Sequence, residues 1–414
     1  MTSIAPSKES LGELAVFTGH PAFLSPLHVG TPQPVDADGF VGRVRDILDS
    51  RWFTNDGPCV KEFERRVAEE LDVEHCIAVC NGTIALELSA GAAELTGEVI
   101  VPSFTFVATA HALRWRGLTP LFCDVDPSTH NLDLAHLEGL INERTSAIIG
   151  VHVWGRPAYS EHLERLAERH GLSLFFDAAH AFGCSYAGQP VGGRGDAEIL
   201  SFHATKVINT FEGGAVLTND DDLAARIRLL RNFGFVDYDD VRALGINGKL
   251  PEMSAAMGLT TLDHFDENVA VNKRNYAHYR TELDSIVGVS VLTYDEAERN
   301  NYQYVVLELD PADCALSRDD LVRVLHAENV IARRYFYPGV HRMEPYRSLY
   351  AGLVLPATEA VADRVVVLPT GQTVDEAAVA TISRVIRLAV GSAEKLPRPL
   401  PPFRSPASPT IRVA

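Results

Sequence analysis

Residues 147–180 have the sequence AIIGVHVWGRPAYSEHLERLAERHGLSLFFDAAH, in which an amphipathic segment joins two short apolar ones. The apolar segments, 147–155 and 172–180, are rich in Val, Ile, Leu and Phe, as buried strands are. Between them, residues 161–171 space their apolar side chains three and four positions apart, as on the buried face of a helix. A strand, a helix and a second strand in this order predict a parallel pair joined by a crossover helix.

The alternation of short strands and amphipathic helices continues on both sides of this segment. Upstream, the pattern predicts strands at 75–80, 98–102 and 120–125 and helices at 83–95 and 105–115. Downstream, the apolar runs ILSFHA (199–204) and GGAVLTND (213–220) predict two more strands. The predicted fold class is therefore α/β, with a large domain built on a mainly parallel, mixed sheet that helices cover on both faces.

The length of 414 residues exceeds a single core of typical size, which predicts two domains. A long helix at 252–285 is expected to carry the chain into a smaller α+β domain, with a strand at 301–310 and a helix at 317–330. Scattered Pro and Gly near the N-terminus and a Pro-rich stretch near the C-terminus predict loosely structured ends. The predicted boundaries are 1–35 for an N-terminal segment, 36–265 for the large domain, 266–392 for the small C-terminal domain and 393–414 for a Pro-rich tail.

The composition argues against several kinds of partner. A formal net charge of −18 disfavours nonspecific binding to nucleic acid or to an anionic membrane surface. No apolar run reaches the roughly 18 residues of a membrane span, and the N-terminus lacks the features of a secretory signal, so a cytoplasmic protein is expected. The six cysteines are scattered without a metal-binding spacing, which predicts buried, reduced thiols and no metal site.

Two side chains next to predicted strands could carry chemistry. Lys206 follows a short apolar strand in SFHATKVINTFEGG, and a lysine with a lowered pKa at this place could form a Schiff base. Asp177 closes the strand LSLFFD, and an acid at the carboxyl end of a parallel strand points into the ligand crevice. Each has an ordinary alternative, namely a solvated surface lysine and the N-cap of a helix.

A second group of residues suits a phosphate and a flat ring. Gly82 and Thr83 stand between a strand and an Ala-rich helix, where they offer an anion a close backbone approach, an amide and a hydroxyl; Ser201 offers a second hydroxyl. Phe106 could supply a flat apolar surface, with His180 on the other side. Taken singly, Asn-Gly-Thr is also a common turn, Phe106 a core residue and His180 a hydrogen-bonded histidine.

Together these residues meet the requirements of pyridoxal 5′-phosphate (PLP): an amine for the Schiff base, a carboxylate for the pyridine nitrogen, an anion site and a stacking surface. From about residue 50 to about residue 375 the chain also resembles the DegT/DnrJ/EryC1/StrS family of sugar aminotransferases, which are PLP enzymes of fold type I. The segments that carry the resemblance are WFTNDGPCVKEFE (52–64), CNGTIAL (80–86), VPSFTFVATA (101–110), PLFCDVDPSTHNLD (120–133), VHVWGRPA (151–158), FDAAHAFG (176–183), GDAEILSFHATKVINTFEGGAV (195–216), GINGKLPEMSAAMG (245–258), YFYPGVH (335–341) and DRVVVLPT (363–370).

The resemblance implies how the cofactor is held. Lys206 would form the Schiff base, Asp177 would pair with the pyridine nitrogen, and His180 would contact the ring hydroxyl at a position where Gln is common in the family. Phe106 would stack on the ring. The phosphate would be bound by Gly82, Thr83 and Ser201.

The resemblance also implies a homodimer with shared active sites. Asn247 matches an Asn that reaches the phosphate of the cofactor in the neighbouring subunit. Lys249 stands where many members have Arg, and recognition of an anion would be weaker there because Lys cannot bind it in bidentate fashion.

The implied reaction moves an amino group from L-glutamate to a keto sugar carried on a nucleotide diphosphate. The segment HATKVINTFEGG, with His203 and Phe211, is similar to the subgroup that aminates carbon 4 of dTDP-4-keto-6-deoxy-D-glucose. Amination of carbon 3 of a 3-keto-6-deoxy sugar is the alternative, since one sequence does not determine how the sugar is rotated above the cofactor. The predicted contacts to the nucleotide sugar, which could equally be surface polar residues, are Arg333, Arg334, Tyr335 and His341.

Two other classes of relative remain as alternatives. Sugar dehydratases of the family replace the lysine with His, so Lys206 argues against that activity. A regulatory, non-catalytic role would be more credible if Lys206 or Asp177 were missing, and both are present. An Arg-, Ala- and Val-rich chain with a deoxysugar signature suits a natural-product pathway, although cell-surface polysaccharide synthesis would use the same reaction.

Overall fold

The structure is a computed structural model that describes residues 8–33, 35–158 and 160–404. A seven-stranded sheet forms the centre of the larger part. Its strands are β1 (His75–Val79), β2 (Glu98–Pro102), β3 (Thr119–Cys123), β4 (Thr145–Val151), β5 (Ser173–Asp177), β6 (Ala197–Ser201) and β7 (Gly214–Thr218). Their spatial order is β1-β7-β6-β5-β4-β2-β3. Strand β7 is antiparallel to both neighbours and all other pairs are parallel, which confirms the mainly parallel mixed sheet.

Helices cover both faces of this sheet, as predicted. They are α1 (Ala37–Ser50), α2 (Pro58–Leu71), α3 (Gly82–Ala92), α4 (Ala108–Trp115), α5 (Leu134–Leu140), α6 (Ser160–His170), α7 (Asp221–Arg231) and α8 (Glu252–Asp263). Successive side chains of a strand point to opposite faces. In β1, Ile77 and Val79 pack with α3, α4 and α7, whereas Cys76 and Ala78 pack with α2 and α8. The strands therefore appear in the sequence as continuous apolar runs.

A smaller antiparallel sheet lies in the C-terminal part of the chain. Its strands are β8 (Val289–Val291), β9 (Val305–Leu309) and β10 (Val365–Leu368), with β9 in the centre. The helices that accompany it are α9 (Phe265–Leu283), α10 (Arg318–Ala327), α11 (Pro356–Arg364) and α12 (Glu376–Val390). Strands and helices share one core, in which Leu321, Val366 and Ile382 are fully buried. This is an α+β arrangement, and its exact domain boundaries stay a prediction.

Short elements complete the described chain. They are the strands Leu27–His28, Ser185–Tyr186, Gln189–Pro190, Phe235–Asp237, Asp240–Val241 and Val330–Ile331, the helices Ala15–Thr18 and Tyr346–Leu349, and the 3₁₀ turns Leu11–Glu13, Val153–Gly155, Val340–Arg342 and Ala393–Lys395. Among the described residues, no helix has both the length and the apolar character needed to cross a bilayer.

The single helix predicted at 252–285 is wrong, because the structure has two helices there. Helix α8 ends and α9 begins around His264, whose φ of −115° and ψ of 17° lie outside the helical region. His264 Nδ1 lies 3.0 Å from Glu267 Oε2, and Asp266 places a second acid in the first turn of α9. Acids stabilise a helix N-terminus, so these residues favour a new helix start that the apolar pattern does not reveal.

Within the N-terminal segment, the described residues 8–33 are more ordered than predicted. Leu14 and Phe23 are fully buried in the core of the small domain. The short strand at 27–28 pairs in parallel with the strand at 330–331. Scattered Pro and Gly predicted a loose segment. That prediction failed because local composition carries no information about contacts with residues far away in the sequence.

A buried carboxylate holds the N-terminal segment in place. Glu328 accepts hydrogen bonds from the backbone N–H groups of Ala15 (2.6 Å) and Ala22 (2.7 Å). The backbone N–H of Phe23 donates to the carbonyl oxygen of Glu328 (3.3 Å). Glu328, which directly follows α10, therefore attaches the segment to the small domain at Ala15 and at Ala22–Phe23.

The Pro-rich tail begins as part of the small domain. Leu396 and Leu400 are buried in its core, so the extended or disordered chain that the sequence predicts does not begin at residue 393. Residues 405–414 lie outside the described part of the chain.

Candidate active site

Five of the predicted site residues lie at the carboxyl edge of the large sheet. Gly82 follows β1, Asp177 is the last residue of β5 and Ser201 is the last residue of β6. Phe106 and Lys206 lie in the loops after β2 and β6. In open α/β sheets ligands bind at this edge, since the loops after parallel strands meet there.

The loop that carries Lys206 is held by both domains. The backbone N–H of Lys206 donates to His203 O (2.8 Å), which closes a turn. Gln303 of the small domain bonds to the residues on both sides of the lysine: its Nε2 donates to Thr205 O (2.9 Å), and its Oε1 accepts from Val207 N–H (3.3 Å). The lysine backbone is therefore restrained from within its own loop and from the neighbouring domain.

The Lys206 amine has the properties of a nucleophile. Burial lowers the pKa of Lys206 to about 8, and the negative charge of Asp177 acts in the opposite direction. Nζ donates a hydrogen bond to Tyr304 Oη at 3.4 Å. A lowered pKa increases the share of free amine, which is the form that attacks a carbonyl group.

Asp177 is buried, and hydrogen bonds orient its carboxylate. Oδ2 accepts from Thr109 Oγ1 at 2.8 Å, and Oδ1 accepts from Ala179 N–H at 3.2 Å. Thr109 Oγ1 also lies 2.9 Å from Thr105 Oγ1. A carboxylate held in this way can receive a hydrogen bond from a protonated ring nitrogen.

The turn between β1 and α3 and the end of β6 are adjacent. Asn81 caps α3, with its Oδ1 accepting from Ile84 N–H at 2.9 Å. A Cβ atom on Gly82 would lie 3.3 Å from Ser201 Cβ, so a larger residue would be tight at this position. Thr83 is half-buried in the first turn of α3. A helix N-terminus next to a serine hydroxyl is suited to a phosphate.

His180 is a half-buried, uncharged imidazole. Its Nδ1 accepts from Trp154 N–H at 3.3 Å, and its ring lies 4.3 Å from the ring of Tyr304 and 6.0 Å from that of Phe336. Burial, assisted by the positive charge of Lys206, holds the pKa of His180 well below its usual range. The ring therefore remains neutral beside the reactive lysine.

Phe106 and Asn247 are exposed in the single chain. Phe106 is 60% exposed on the loop before α4. Asn247 is exposed next to Gly248, whose carbonyl oxygen accepts from Cys80 N–H (2.8 Å). The segment that carries Asn247 is thus tied to the end of β1, one residue before the Asn81 cap.

The predicted sugar contacts lie in two different environments. Arg333 is exposed, with its guanidinium 5.2 Å from the centre of the Tyr335 ring. Arg334 pairs with Asp319 at 3.1 Å. Tyr335 is half-buried, and its ring stacks on Phe336 with 5.4 Å between the ring centres.

His341 lies inside the protein instead of on a rim. It is buried, its Nδ1 lies 2.7 Å from Ser103 Oγ, and its Nε2 lies 3.1 Å from Glu359 Oε1. Burial lowers the pKa of His341, although Glu359 opposes the effect. Both ring nitrogens have protein partners, so His341 links the end of β2 to α11.

Sequence reasoning missed the residues that support the predicted ones. Thr109 reaches Asp177, Gln303 holds the Lys206 loop, and Tyr304 meets the lysine amine. The signal for Thr109 is its spacing of four residues from Thr105 in the helix predicted at 105–115, although in the structure that helix begins only at Ala108. Gln303 and Tyr304 carry no local signal, because their partners belong to a different domain.

The arrangement fits PLP. The amine of Lys206 with its lowered pKa, the oriented carboxylate of Asp177 and the helix N-terminus at Gly82 suit the aldehyde, the ring nitrogen and the phosphate of one cofactor. A side chain at position 82 would crowd Ser201, so the glycine lets the backbone of the turn pack closely against the end of β6. The fold and the site together define a PLP-dependent aminotransferase of fold type I.

More narrowly, the chain belongs to the DegT/DnrJ/EryC1/StrS aminotransferase family, whose model matches residues 35–387. It is 35% identical over 344 residues to the dTDP-4-amino-4,6-dideoxy-D-glucose transaminase of Shigella dysenteriae, and the aligned residues make up 83% of this chain and 94% of that protein. It is 36% identical over 347 residues to the GDP-perosamine synthase of Caulobacter vibrioides, covering 78% and 92% of the two chains. The crystal structure of DesI in the presence of its TDP-sugar product matches with a TM-score of 0.90 and 50% identity, over 94% of this chain and 98% of that one. The chain is therefore a PLP-dependent nucleotide-sugar aminotransferase.

Proposed function

We propose that this enzyme transfers the amino group of L-glutamate to carbon 4 of dTDP-4-keto-6-deoxy-D-glucose and forms dTDP-4-amino-4,6-dideoxy-D-glucose. The observation that carries the proposal is the similarity to DesI, a protein with a TDP-sugar product, at 50% identity over nearly the whole chain. The similarity to the Shigella transaminase, whose name contains this product, supports the same sugar. The segment HATKVINTFEGG around Lys206 is the part of the sequence that favours carbon 4.

Lys206 is the residue that would move the proton in both halves of the reaction. When bound, PLP supplies an electron sink for the carbon atom that loses or gains the amino group. Lys206 Nζ would hold the cofactor and, once free of it, would serve as general base and acid at that carbon. Its pKa of about 8 allows it to accept and return a proton near neutral pH.

The other predicted residues would hold the cofactor. Asp177, oriented by Thr109, would keep the ring nitrogen protonated, and the neutral His180 would bond to the ring hydroxyl. The turn at Gly82 and Thr83 would bind the phosphate together with Ser201. Phe106 would cover one face of the ring, a surface that its exposure leaves open to a ligand.

The nucleotide sugar would enter beside the exposed Arg333, whose positive charge suits a diphosphate. Tyr335 would contact the sugar from the same segment. His341 would act indirectly, by joining the end of β2 to α11, because neither of its ring nitrogens is free.

The working form would be a homodimer in which Asn247 of each subunit serves the neighbouring active site. Large apolar side chains are exposed in the segment that precedes Asn247: Phe233 is 44% exposed, Tyr238 95% and Leu244 88%. Burial of such a surface in a second copy of the chain would stabilise the dimer. We place the enzyme in the cytoplasm, in a deoxysugar pathway of natural-product biosynthesis.

The test is to incubate the PLP-loaded enzyme with L-glutamate and dTDP-4-keto-6-deoxy-D-glucose and to identify the product by mass spectrometry and NMR. An amino group on carbon 4 would support the proposal. An amino group on carbon 3 would instead support the alternative regiochemistry. Lys206→Ala is the control that should form no product.

A GDP-linked 4-keto sugar is the second candidate substrate, because the GDP-perosamine synthase of Caulobacter is 36% identical to this chain. Both nucleotides should be offered at equal concentration. A clear preference for the GDP sugar would contradict the proposed substrate and leave the aminotransferase assignment intact.

A further inference from the structure

Tyr304 is the side chain that meets the amine of Lys206. It stands immediately before β9, the central strand of the small sheet, whereas Lys206 follows β6 of the large sheet. Its hydroxyl oxygen accepts a hydrogen bond from Lys206 Nζ at 3.4 Å. The preceding residue, Gln303, bonds to both neighbours of the lysine. The small domain therefore contacts the reactive loop at its backbone and at its amine.

Packing positions the ring of Tyr304 without the help of its hydroxyl. The ring centre lies 4.3 Å from that of His180, 5.6 Å from that of Trp154 and 6.4 Å from that of Tyr335. The carbonyl oxygen of Tyr304 accepts from Tyr294 Oη at 2.8 Å. Removal of the hydroxyl alone would thus leave the ring in place.

The phenol of Tyr304 is uncharged over the working range of pH, because burial raises its pKa well above the usual range. A neutral hydroxyl can accept a hydrogen bond from a protonated nitrogen and donate one to a free amine. The titratable groups that face Lys206 and Tyr304 are Asp177, His180, Tyr294 and Tyr335.

We propose that Tyr304 is a further catalytic residue, whose hydroxyl binds the nitrogen of Lys206 both while that nitrogen is linked to the cofactor and after it has been released. In the linked state the oxygen accepts a hydrogen bond from the protonated nitrogen and stabilises the protonated form. After release, the same hydroxyl restrains a flexible four-carbon side chain near the substrate carbon. The role rests on the PLP chemistry of Lys206 and holds for any nucleotide sugar.

Tyr304→Phe is the informative variant, since it removes the hydroxyl and keeps the ring. Tyr302→Phe is the matched control, because that ring packs against Tyr276 (5.1 Å) and Tyr294 (5.3 Å). The first measurement is a pH titration of the visible absorbance of the PLP-loaded protein without substrate. The second is the pair kcat and KM, together with the melting temperature.

We expect Tyr304→Phe to lower the pKa of the linkage between Lys206 and the cofactor by about one unit, since the protonated nitrogen loses an acceptor. We expect kcat to fall roughly tenfold, with the KM for the sugar and the melting temperature unchanged. Tyr302→Phe should match the wild type in every readout. The spectral result is obtained without any sugar, so it does not depend on the proposed substrate.

Two results would overturn the proposal. One is a titration curve and a kcat for Tyr304→Phe that equal those of the wild type. The other is a lower kcat with an unchanged titration and a lower melting temperature, because loss of packing would then explain the defect.

Discussion

The lowered pKa of the Lys206 amine leads to a prediction about pH. Only the uncharged amine attacks the aldehyde of PLP, and burial lowers the pKa of Lys206 to about 8. The rate constant for PLP uptake by the apoprotein should therefore rise with pH up to about 8 and level off above it. A solvated lysine would continue to gain reactivity up to about pH 10. Stopped-flow absorbance measures this rate, and Lys206→Ala provides the blank.

The hydrogen bond between Thr109 and Asp177 predicts that substitutions at the two residues slow the reaction to different extents. Asp177→Asn removes the charge that would hold the ring nitrogen protonated and should slow the reaction with glutamate on the order of 10²-fold. Thr109→Val removes one hydrogen bond to that carboxylate, at 2.8 Å, and should slow it roughly tenfold. Thr281→Val, at an exposed position of α9, is the control. Equal rates for Thr109→Val and the wild type would show that the hydrogen bond does not orient Asp177.

Among single residues, the side chains at and after the ends of parallel strands could be predicted from the sequence, whereas those contributed by the small domain could not. Asp177 and Ser201 lie together because strand ends meet at one edge of a sheet. Tyr304 could not be predicted, since nothing local marks a tyrosine before β9 as the partner of a lysine in another domain. His341 was predicted as a contact to the nucleotide sugar or a surface polar residue, and in the structure it is buried with two protein partners.

At the scale of elements, the N-terminal segment leads to a prediction about stability. Its attachment depends on Glu328, which accepts from Ala15 and Ala22. Glu328→Gln replaces one acceptor oxygen with a donor and should lower the free energy of unfolding by about 1–3 kcal/mol. Thermal denaturation measures the loss, and limited proteolysis should locate new cleavage within 8–33. The exposed Glu143→Gln is the control.

The same segment also extends to the active site. A Cβ atom on Gly30 would lie 3.2 Å from Thr205 Cβ, directly before Lys206. If release of the segment disturbs this contact, Glu328→Gln should lose activity at temperatures below its melting transition. Full activity with new cleavage sites would show that the segment contributes to stability alone.

The helices and strands of the large domain could be predicted because the strands are short continuous apolar runs, whereas the helices space their apolar residues three and four positions apart. The break between α8 and α9 at His264 could not be predicted, because apolar residues continue across it. Polar contacts in the first turn of α9 decide where the new helix starts. Order in residues 8–33 was missed for a related reason: their partners, among them Glu328, are remote in the sequence.

At the scale of the whole molecule, shared active sites can be tested by mixing two inactive variants. Lys206→Ala lacks its own amine, and Asn247→Ala lacks the side chain proposed to serve the partner. A mixed dimer would contain one site with both residues intact. Random pairing of equal amounts should restore about a quarter of the wild-type activity, because half of the dimers are mixed and each has one complete site. No recovery, with dimers seen by light scattering, would contradict the role of Asn247.

Transamination is tested most directly by the visible absorbance of the PLP-loaded enzyme as the two substrates are added in turn. L-Glutamate should abolish the band of the Lys206–cofactor linkage, and stoichiometric dTDP-4-keto-6-deoxy-D-glucose should restore it. A band that glutamate leaves unchanged would rule out a glutamate-dependent reaction, and a band that the keto sugar fails to restore would rule out this sugar as the substrate.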